Sequence, residues 1–426
     1  MRAFGQLIQL FAFLTTMATA SARAADAPLH RAHDPVVVPV GSLPALDHRS
    51  SGNLHLYRWN AGALVRIPTQ FDARDDDGDL DVSKAAEFVL DANDELVFMA
   101  KDTGDRAPRD RLPLDALLEI EVEDPVDGTR GWAYLLEGAD APGTTQAAAY
   151  VVLDGRERRA RSPFYDVEYA DGRNFFTGMR IPPTGGGDGA NFLRQTRMLG
   201  EPRFTLFFTD VRLKFTEKNS IVRVEGIKNG PVRSIRRVHL SVDLGDLFPE
   251  LPSGTVYTLH YLTSFATPTR ISIPWIALQA LEDFRFENVL EFDDGVLPLQ
   301  YYDAVNSGVP LATDAEGAVE RERDHEWYAV SGAAGTLLQV FLVPDEWRAW
   351  GIARGTVLHR GRKADGSAVP CAAGFSLLNM TRIERHGVHQ LRQATIVLPR
   401  PFQPGDEEQG LRMFHQPLQV SAHALR

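Results

Sequence analysis

Cysteine is almost absent from this sequence, in which Cys371 is the only thiol among 426 residues. One cysteine cannot form an internal disulfide, so the disulfide-stabilised scaffolds of small secreted proteins are excluded. Stability therefore has to come from a buried core. Cys371 lies in the apolar stretch 369–375, which favours a buried structural thiol over a reactive one.

Long apolar runs are also absent after residue 24, where no segment approaches the ~20 apolar residues of a membrane-spanning helix. The one compact apolar run, 7–17, follows Arg2 and precedes alanines at every second position from 18 to 24. This order is typical of a cleaved secretion signal. We therefore expect residues 1–24 to be a signal peptide. The mature chain is then expected to be soluble, without a membrane span, and periplasmic or secreted.

No extended basic stretch is present, and the chain carries a net charge of −12 at pH 7. Segment 71–124 alone has 18 acidic and 6 basic residues, so its charge equals that of the whole chain. A protein that binds nucleic acid needs a basic face to neutralise phosphates. Nucleic acid is therefore excluded as a partner.

Helical periodicity is scarce, and strand patterns do not alternate with helical ones, which excludes Rossmann and TIM-barrel architectures. The best helical candidates are short, at 82–88 and 345–353. Apolar and polar residues instead alternate at period two, the pattern of antiparallel strands with one face in a core. The alternation is clearest in 118–123, 221–225, 232–244 and 284–292.

This patterning predicts an all-β fold, an antiparallel β-sandwich with few short helices. The length leaves open whether the chain forms one large sandwich, of the supersandwich kind, or two domains. Small and turn-forming residues in 137–146 mark a linker. We expect an N-terminal β-rich domain over 25–140, with an acidic loop, and a large antiparallel β-sandwich domain over 141–426.

The most specific local feature is an acidic segment within 70–99. Its first group of carboxylates alternates around Gly78, and a second group begins ten residues beyond Asp81. Calcium takes six to eight oxygen ligands, and carboxylates at every second loop position can wrap one ion. The candidate Ca²⁺ ligands are Asp75, Asp77, Asp79, Asp81, Asp91, Asn93, Asp94 and Glu95.

The acidic loop departs from the helical EF-hand pattern. When the loop is taken to begin at Asp75, Leu80 stands where the invariant glycine belongs. Its flanks are also strand-like and not helical. Two interpretations stay open: a structural calcium site of the kind found in extracellular modules, and a solvated acidic loop without a metal.

The acidic segment also carries a family resemblance. Three strings are involved: QFD at 70–72, DDDGD at 75–79 and NDELVF at 93–98. They are similar to uncharacterised exported bacterial β-proteins, some of which resemble the galactose-mutarotase-like β-supersandwich group of polysaccharide-acting proteins. The string VEGIKNGPVR at 224–233 resembles a turn of such sandwiches. The resemblance implies a supersandwich fold, and it carries over no catalytic residue.

An enzyme that cleaves polysaccharides needs a base, an acid and a group that neutralises a carboxylate. His260 and Tyr261, with Arg270 nearby in the sequence, are weak candidates for this catalytic chemistry. A structural cluster across neighbouring strands is the alternative explanation of the same residues.

Aromatic residues offer stacking surfaces for sugar rings, and they are also common fillers of a β-sandwich core. Both interpretations stay open for Phe175, Phe176, Trp275, Tyr301, Tyr302, Trp327, Tyr328, Trp347 and Trp350.

Two functions therefore remain. The first is a non-catalytic exported β-sandwich, calcium-stabilised in one interpretation, that binds a glycan or a cell-envelope protein. The second is a carbohydrate-active enzyme, a polysaccharide lyase or hydrolase, of the mutarotase-like supersandwich kind.

Overall fold

The structure is a computed structural model that describes residues 29–44, 46–138, 148–156, 158–172, 175–206, 209–243, 253–312, 319–320, 325–359 and 370–425. The expected signal peptide 1–24 and most of the expected linker 137–146 lie outside these residues. Both features stay predictions from the sequence.

Strands dominate the described part of the chain. The first fifteen are β1 Pro35–Pro39, β2 Leu54–Asn60, β3 Ala63–Arg66, β4 Gln70–Asp72, β5 Glu95–Met99, β6 Ala116–Glu123, β7 Arg130–Glu137, β8 Val152–Asp154, β9 Arg159–Arg161, β10 Asp166–Tyr169, β11 Phe176–Arg180, β12 Leu193–Leu206, β13 Thr209–Arg212, β14 Phe215–Thr216 and β15 Ser220–Asn229. The others are β16 Ser234–Val242, β17 Ser253–His260, β18 Ser264–Ala266, β19 Thr269–Ile273, β20 Leu281–Phe292, β21 Leu299–Asp303, β22 Val309–Leu311, β23 Val319–Glu320, β24 Trp327–Gly332, β25 Gly335–Leu342, β26 Ala353–His359, β27 Ala372–Leu378, β28 Gly387–Leu398 and β29 Gln419–Ala424. The α-helices are α1 Trp275–Ala280, α2 Asp345–Ala349 and α3 Asp406–His415.

The described strands form five sheets. A seven-stranded sheet has the order β13-β12-β20-β27-β26-β23, with β14 beside β12. A ten-stranded sheet has the order β15-β16-β17-β18-β28-β25-β24-β21-β22, with β19 beside β17 and β28. The smaller sheets are β1-β5-β4, β11-β10-β9-β8 and β29-β6-β7-β2-β3. Pairing between these strands is antiparallel, which confirms the predicted all-β antiparallel fold.

The main core lies between the two large sheets. Leu290 and Phe292 of β20 pack there with Leu337 and Phe341 of β25. The alternating pattern of β20 explains this arrangement, because side chains two residues apart on a strand share one face. Phe284, Phe286, Leu290 and Phe292 therefore point into the sandwich, whereas Glu287 and Glu291 point out of it.

A second core joins the three-stranded sheet to the five-stranded sheet, and Leu96 and Phe98 of β5 pack in it. On the other face of β5, Val97 and Met99 pack against Tyr261. The three-stranded sheet is thus buried on both faces, which explains the continuous apolar run of β5. The C-terminal strand β29 pairs with β6, so the end of the chain completes a sheet of the N-terminal segment. A domain boundary near residue 140 stays a prediction.

The helical predictions had mixed outcomes. Segment 345–353 does begin with a helix, α2, but 82–88 is not helical, and that prediction is wrong. The carboxylate of Asp81 accepts hydrogen bonds from the backbone N–H and the hydroxyl of Ser83, at 3.0 and 2.6 Å. Such local bonds compete with helix formation. The longest helix in the described ranges, α3, has ten residues, and no helix there could cross a bilayer.

Candidate functional site

The acidic segment contributes to a buried charged junction between β4, β5 and the turn that joins β15 to β16. Arg233, which is 1% exposed, lies at its centre. Its guanidinium donates from Nε to Asp72 Oδ2 at 2.8 Å, and from Nη2 to Glu95 Oε2 at 2.7 Å. Its Nη1 donates to the Tyr261 hydroxyl at 3.0 Å. Gln70 Oε1 accepts the backbone N–H of Arg233 at 2.9 Å, so the turn is bound by both side chain and main chain.

The charges of the junction keep Asp72 ionised. Burial by itself would raise the pKa of Asp72, but the charges of Arg233 and Lys228, with a hydrogen bond from Gln70, hold that pKa below its usual value. Lys228 Nζ lies 3.2 Å from Asp72 Oδ1. Strings 70–72, 93–98 and 224–233, which carry the family resemblance, each contribute a residue to this ion network. We therefore assign these strings a structural role.

The loop that follows β4 is held by its own hydrogen bonds and by two arginines. Asp75 Oδ1 accepts the backbone N–H groups of Asp77 and Asp79 at 3.1 and 2.8 Å. The Asp79 carboxylate forms ion pairs with Arg270 and, at 3.7 Å, with Arg237. The repulsion between carboxylates in this loop is thus relieved in part by arginine charges from β16 and β19.

The second acidic group is bound in a similar way. Asp91 Oδ1 accepts the backbone N–H of Asn93 at 2.9 Å. Asp94 accepts those of Arg74 and Asp91 at 3.0 and 2.8 Å. Glu95 belongs to the junction described above. Within the described ranges no three acidic, histidine or cysteine side chains converge as metal ligands. The calcium site rests on the sequence and stays a prediction.

The candidate catalytic histidine lies in the protein core. His260 is fully buried, with Nε2 at 2.7 Å from the Tyr169 hydroxyl and Nδ1 at 3.3 Å from the Tyr165 hydroxyl. Burial, followed by the charge of Arg236, lowers the pKa of His260 to about 3. The imidazole is therefore neutral at physiological pH.

The other two catalytic candidates have separate surroundings. Tyr261 contacts Arg233 in the buried junction, whereas Arg270 forms an ion pair with Asp79 in the acidic loop. The structure therefore does not bring His260, Tyr261 and Arg270 together around one cleft.

A cavity of about 300 Å³ lies between the two large sheets. It follows β20 from Leu281 to Leu290, a length of about 30 Å at ~3.3 Å per residue. Phenylalanines such as Phe204, Phe284 and Phe341 dominate its wall, and none of the described residues that line it carries a charge. A long, uncharged and aromatic cavity of this kind is typical of a site for an apolar ligand.

The apolar wall of this cavity is unfavourable for the protein while it faces water, and covering such a surface contributes about 25 cal/mol per Å². Three residues of the lining, Asn288, Trp347 and Ser376, each carry a buried polar side-chain atom without a hydrogen-bond partner in the described part of the chain. Each such atom costs about 1–3 kcal/mol. An apolar ligand in the cavity would offset part of these costs by covering the apolar wall.

The outer face of the seven-stranded sheet carries two buried carboxylates. Glu287 and Glu291 of β20 are 4% and 3% exposed. Arg285 Nε donates to Glu287 at 2.9 Å, and Gln195 Nε2 donates to Glu291 at 2.8 Å. His359 Nε2 lies 3.9 Å from Glu287 Oε2. Sequence reasoning missed this cluster. The alternation of β20 placed both glutamates on one face, but it could not show that this face would be buried.

Three aromatic rings meet on the outer face of the ten-stranded sheet. The ring centroids of Tyr302 and Phe402 lie 4.6 Å apart, and those of Trp327 and Phe402 lie 5.9 Å apart with the planes inclined by 20°. All three rings are half-buried, whereas Tyr301 and Tyr328, their neighbours on β21 and β24, are buried in the main core. We call the outer group Tyr302, Trp327 and Phe402 the aromatic surface. In each of the adjacent pairs 301–302 and 327–328, strand alternation thus places one ring in the core and the other on the outer face.

Polar groups lie beside the aromatic surface. Glu326 precedes Trp327, and its carboxylate accepts a hydrogen bond from Arg354 Nη1 at 2.9 Å. The other carboxylate oxygen lies 2.6 Å from His415 Nε2 of α3. The Tyr302 hydroxyl donates to the side chain of Gln300 at an exposed position. Gln300 and the partly exposed Glu326 and His415 therefore offer donors and acceptors close to the three rings, whereas Arg354 is buried.

The remaining aromatic candidates are divided between cavity and surface. Phe175, Phe176 and Trp347 line the cavity between the sheets, and Trp275 is 63% exposed on α1. Trp350 packs partly buried against the main core.

Comparison with known proteins identifies the fold and no family. No protein-family model matches this chain. No curated protein sequence matches it either.

Solved structures share the fold at low sequence identity. An α-mannosidase from Enterococcus faecalis V583 matches 93% of this chain with a TM-score of 0.52 and 10% identity. A glycosyl hydrolase family 38 protein from Enterococcus faecalis matches 88% with a TM-score of 0.51 and 8% identity. The match covers 45% and 42% of those two chains, so this protein spans less than half of their length. At this identity the likeness shows a shared β-sandwich fold alone.

Proposed function

We propose that this protein is a non-catalytic exported protein that binds a glycan, free or on a cell-envelope partner, through the aromatic surface. The observation that carries this proposal is the group of three rings, Tyr302, Trp327 and Phe402, held half-exposed on a sheet. Aromatic rings give a large, rigid apolar contact on which the C–H face of a sugar ring can stack. Strands β21 and β24 position two of the rings, so little conformational entropy is lost on binding.

The polar border of the aromatic surface supports a sugar ligand over a purely apolar one. Sugars present hydroxyl groups around an apolar ring face, and Glu326, His415 and Gln300 supply acceptors and donors close to the three rings. A binding site with an apolar centre and a few placed polar groups obtains orientation from the polar groups. The shared fold of an α-mannosidase also supports a carbohydrate ligand. The signal peptide predicted from the sequence agrees with a protein that meets glycans outside the cytoplasm.

Binding to a panel of polysaccharides, measured by calorimetry with the mature protein, tests this proposal. We expect Trp327→Ala to weaken binding about tenfold or more, equivalent to about 1.4 kcal/mol. Trp59→Ala is the matched control, because Trp59 is also half-buried but packs in a different cluster on β2. Binding that is unchanged in Trp327→Ala, or reduced equally in both variants, would sink the aromatic surface as the site.

A second candidate function is a carbohydrate-active enzyme, and the outer face of the seven-stranded sheet favours it. Carboxyl groups are costly to bury, and Glu287 and Glu291 are both almost fully buried among polar side chains. Glycoside hydrolases usually act through two carboxyl groups, one on each side of the scissile bond. The likeness to two glycoside hydrolases agrees with this alternative.

The enzyme candidate is tested by product release from the same polysaccharides. Glu287→Gln and Glu291→Gln should each lower the rate by about 10²–10⁴-fold if these groups act as acid and base. Glu282→Gln is the control, since Glu282 is exposed on the same strand. If no polysaccharide of the panel is cleaved and tight binding depends on Trp327, the enzyme candidate is refuted and the binding function is supported.

A further inference from the structure

We propose that the cavity between the two large sheets binds the hydrocarbon chain of a long-chain lipid with an uncharged head group. This site is separate from the aromatic surface, which lies on the outer face of the ten-stranded sheet. The cavity walls are the inner faces of both large sheets, together with Leu278 of α1.

The shape of the cavity favours a chain over a compact ligand. It follows five positions of β20, from Leu281 to Leu290, over about 30 Å. A flexible aliphatic chain can extend along an apolar wall of this length, whereas the hydroxyl groups of an oligosaccharide would find few polar partners there.

The chemistry of the wall selects an apolar and uncharged ligand. Phenylalanine, leucine and isoleucine dominate the lining, and no acidic, basic or histidine side chain is among the described lining residues. Transfer of a hydrocarbon chain from water into such a space is favourable, and a charged head group would find no partner there. A phosphate or an ionised carboxylate would therefore find no cationic partner among the described lining residues.

The polar residues of the lining indicate an uncharged head group. Thr258, Asn288 and Gln339 are among the lining residues, and their side chains can hydrogen-bond without carrying a charge. A hydroxyl group can both donate to and accept from side chains of this kind. Long-chain alcohols and other uncharged hydroxyl lipids thus match the chemistry of the lining.

The test is the binding of cetyl alcohol to the purified mature protein, with a fluorescent long-chain alcohol as the displaced probe. Ile271→Trp adds bulk on the cavity side of β19, and we expect it to weaken binding more than tenfold. Ser272→Trp adds the same side chain at the next position, which is exposed, and should bind as the wild type does. Leu281→Trp, on β20 of the facing sheet, gives a second blocked variant in case the first does not fold, as judged by circular dichroism.

Palmitate has a chain of the same length with an ionised head group, and we expect it to compete at least tenfold more weakly than cetyl alcohol. Saturable binding that is lost in the folded blocked variants and kept in Ser272→Trp supports the proposal. A wild type that does not bind cetyl alcohol, or blocked variants that bind it normally, would overturn it. Equal competition by palmitate would refute the proposal that the ligand has an uncharged head group. Glycan binding stays intact in the blocked variants if the two sites are separate.

Discussion

The buried junction around Arg233 makes a quantitative prediction about stability. Arg233→Met keeps most of the side-chain length and removes the guanidinium that bridges Asp72 and Glu95. Both carboxylates are nearly inaccessible to water, at 1% and 8% exposed. Removal of one partner from a buried ion pair typically costs about 3–5 kcal/mol, because the remaining charge is left without compensation.

Two cations that remain in Arg233→Met reduce the expected loss of stability. Lys228 still lies 3.2 Å from Asp72, and Arg74 Nε still donates to Glu95 Oε1 at 2.9 Å. Each carboxylate therefore keeps one cation, so we expect a loss of about 3 kcal/mol, the lower end of that range. A loss of this size is a large part of a typical stability of about 5–15 kcal/mol.

The assay is equilibrium unfolding in urea at neutral pH, followed by circular dichroism. Arg158→Met is the matched control, because Arg158 forms an ion pair with Asp171 on the surface, where such pairs contribute about 0–1 kcal/mol. Adding Asp72→Asn and Glu95→Gln to Arg233→Met should recover part of the loss, since the buried charges are then gone. A loss below about 1 kcal/mol for Arg233→Met would refute the assignment of a buried ion network.

Three further outcomes are expected. Folding lowers the pKa of Asp72, so ionised Asp72 stabilises the folded protein at any pH above the unfolded value of 3.8. This stabilisation is lost as the pH falls through the folded pKa. In Asp72→Asn, the free energy of unfolding should therefore fall less steeply at acidic pH than in the wild type. Since burial and then Arg236 lower the pKa of His260 to about 3, the unfolded chain takes up a proton first as the pH falls below 6.5, and stability should decline by ~1.4 kcal/mol per pH unit between these values. His260→Asn should remove that slope, and an unchanged slope would contradict a neutral buried histidine. The calcium prediction expects EDTA to lower the thermal midpoint of the wild type, added Ca²⁺ to restore it, and Asp77→Ala to abolish both effects; midpoints that never respond would remove the metal.

Sequence reasoning was effective where the physical signal is local. The period-two alternation of β20 identified the strand and divided its side chains into an inner aromatic face and an outer acidic face. The helix predicted at 82–88 was wrong. The hydrogen bonds from Ser83 to the Asp81 carboxylate outweighed the helical spacing of the apolar residues there. Helix α3 was missed because Gly410, a poor helix former, lies inside its sequence. The close packing of Gly410 against Leu338 and Ile396 explains why a glycine is found there.

The candidate sites depended on contacts that no local pattern contains. Arg233 and Asp72 are 161 positions apart, and the aromatic surface joins residues 302, 327 and 402 from three separate elements. The sequence identified the acidic segment as the most specific local feature, but it could not show that Arg237 and Arg270 form ion pairs with Asp79 of the same loop.

The sequence by itself determined the all-β antiparallel class, the absence of disulfides and the faces of individual strands. These properties follow from residue type and period-two spacing, which act over a few residues. Only the tertiary structure decided which faces became core, which surrounded a cavity and which buried a charge. Those outcomes depend on how the sheets stack, and stacking is set by the summed burial of side chains distant in the chain.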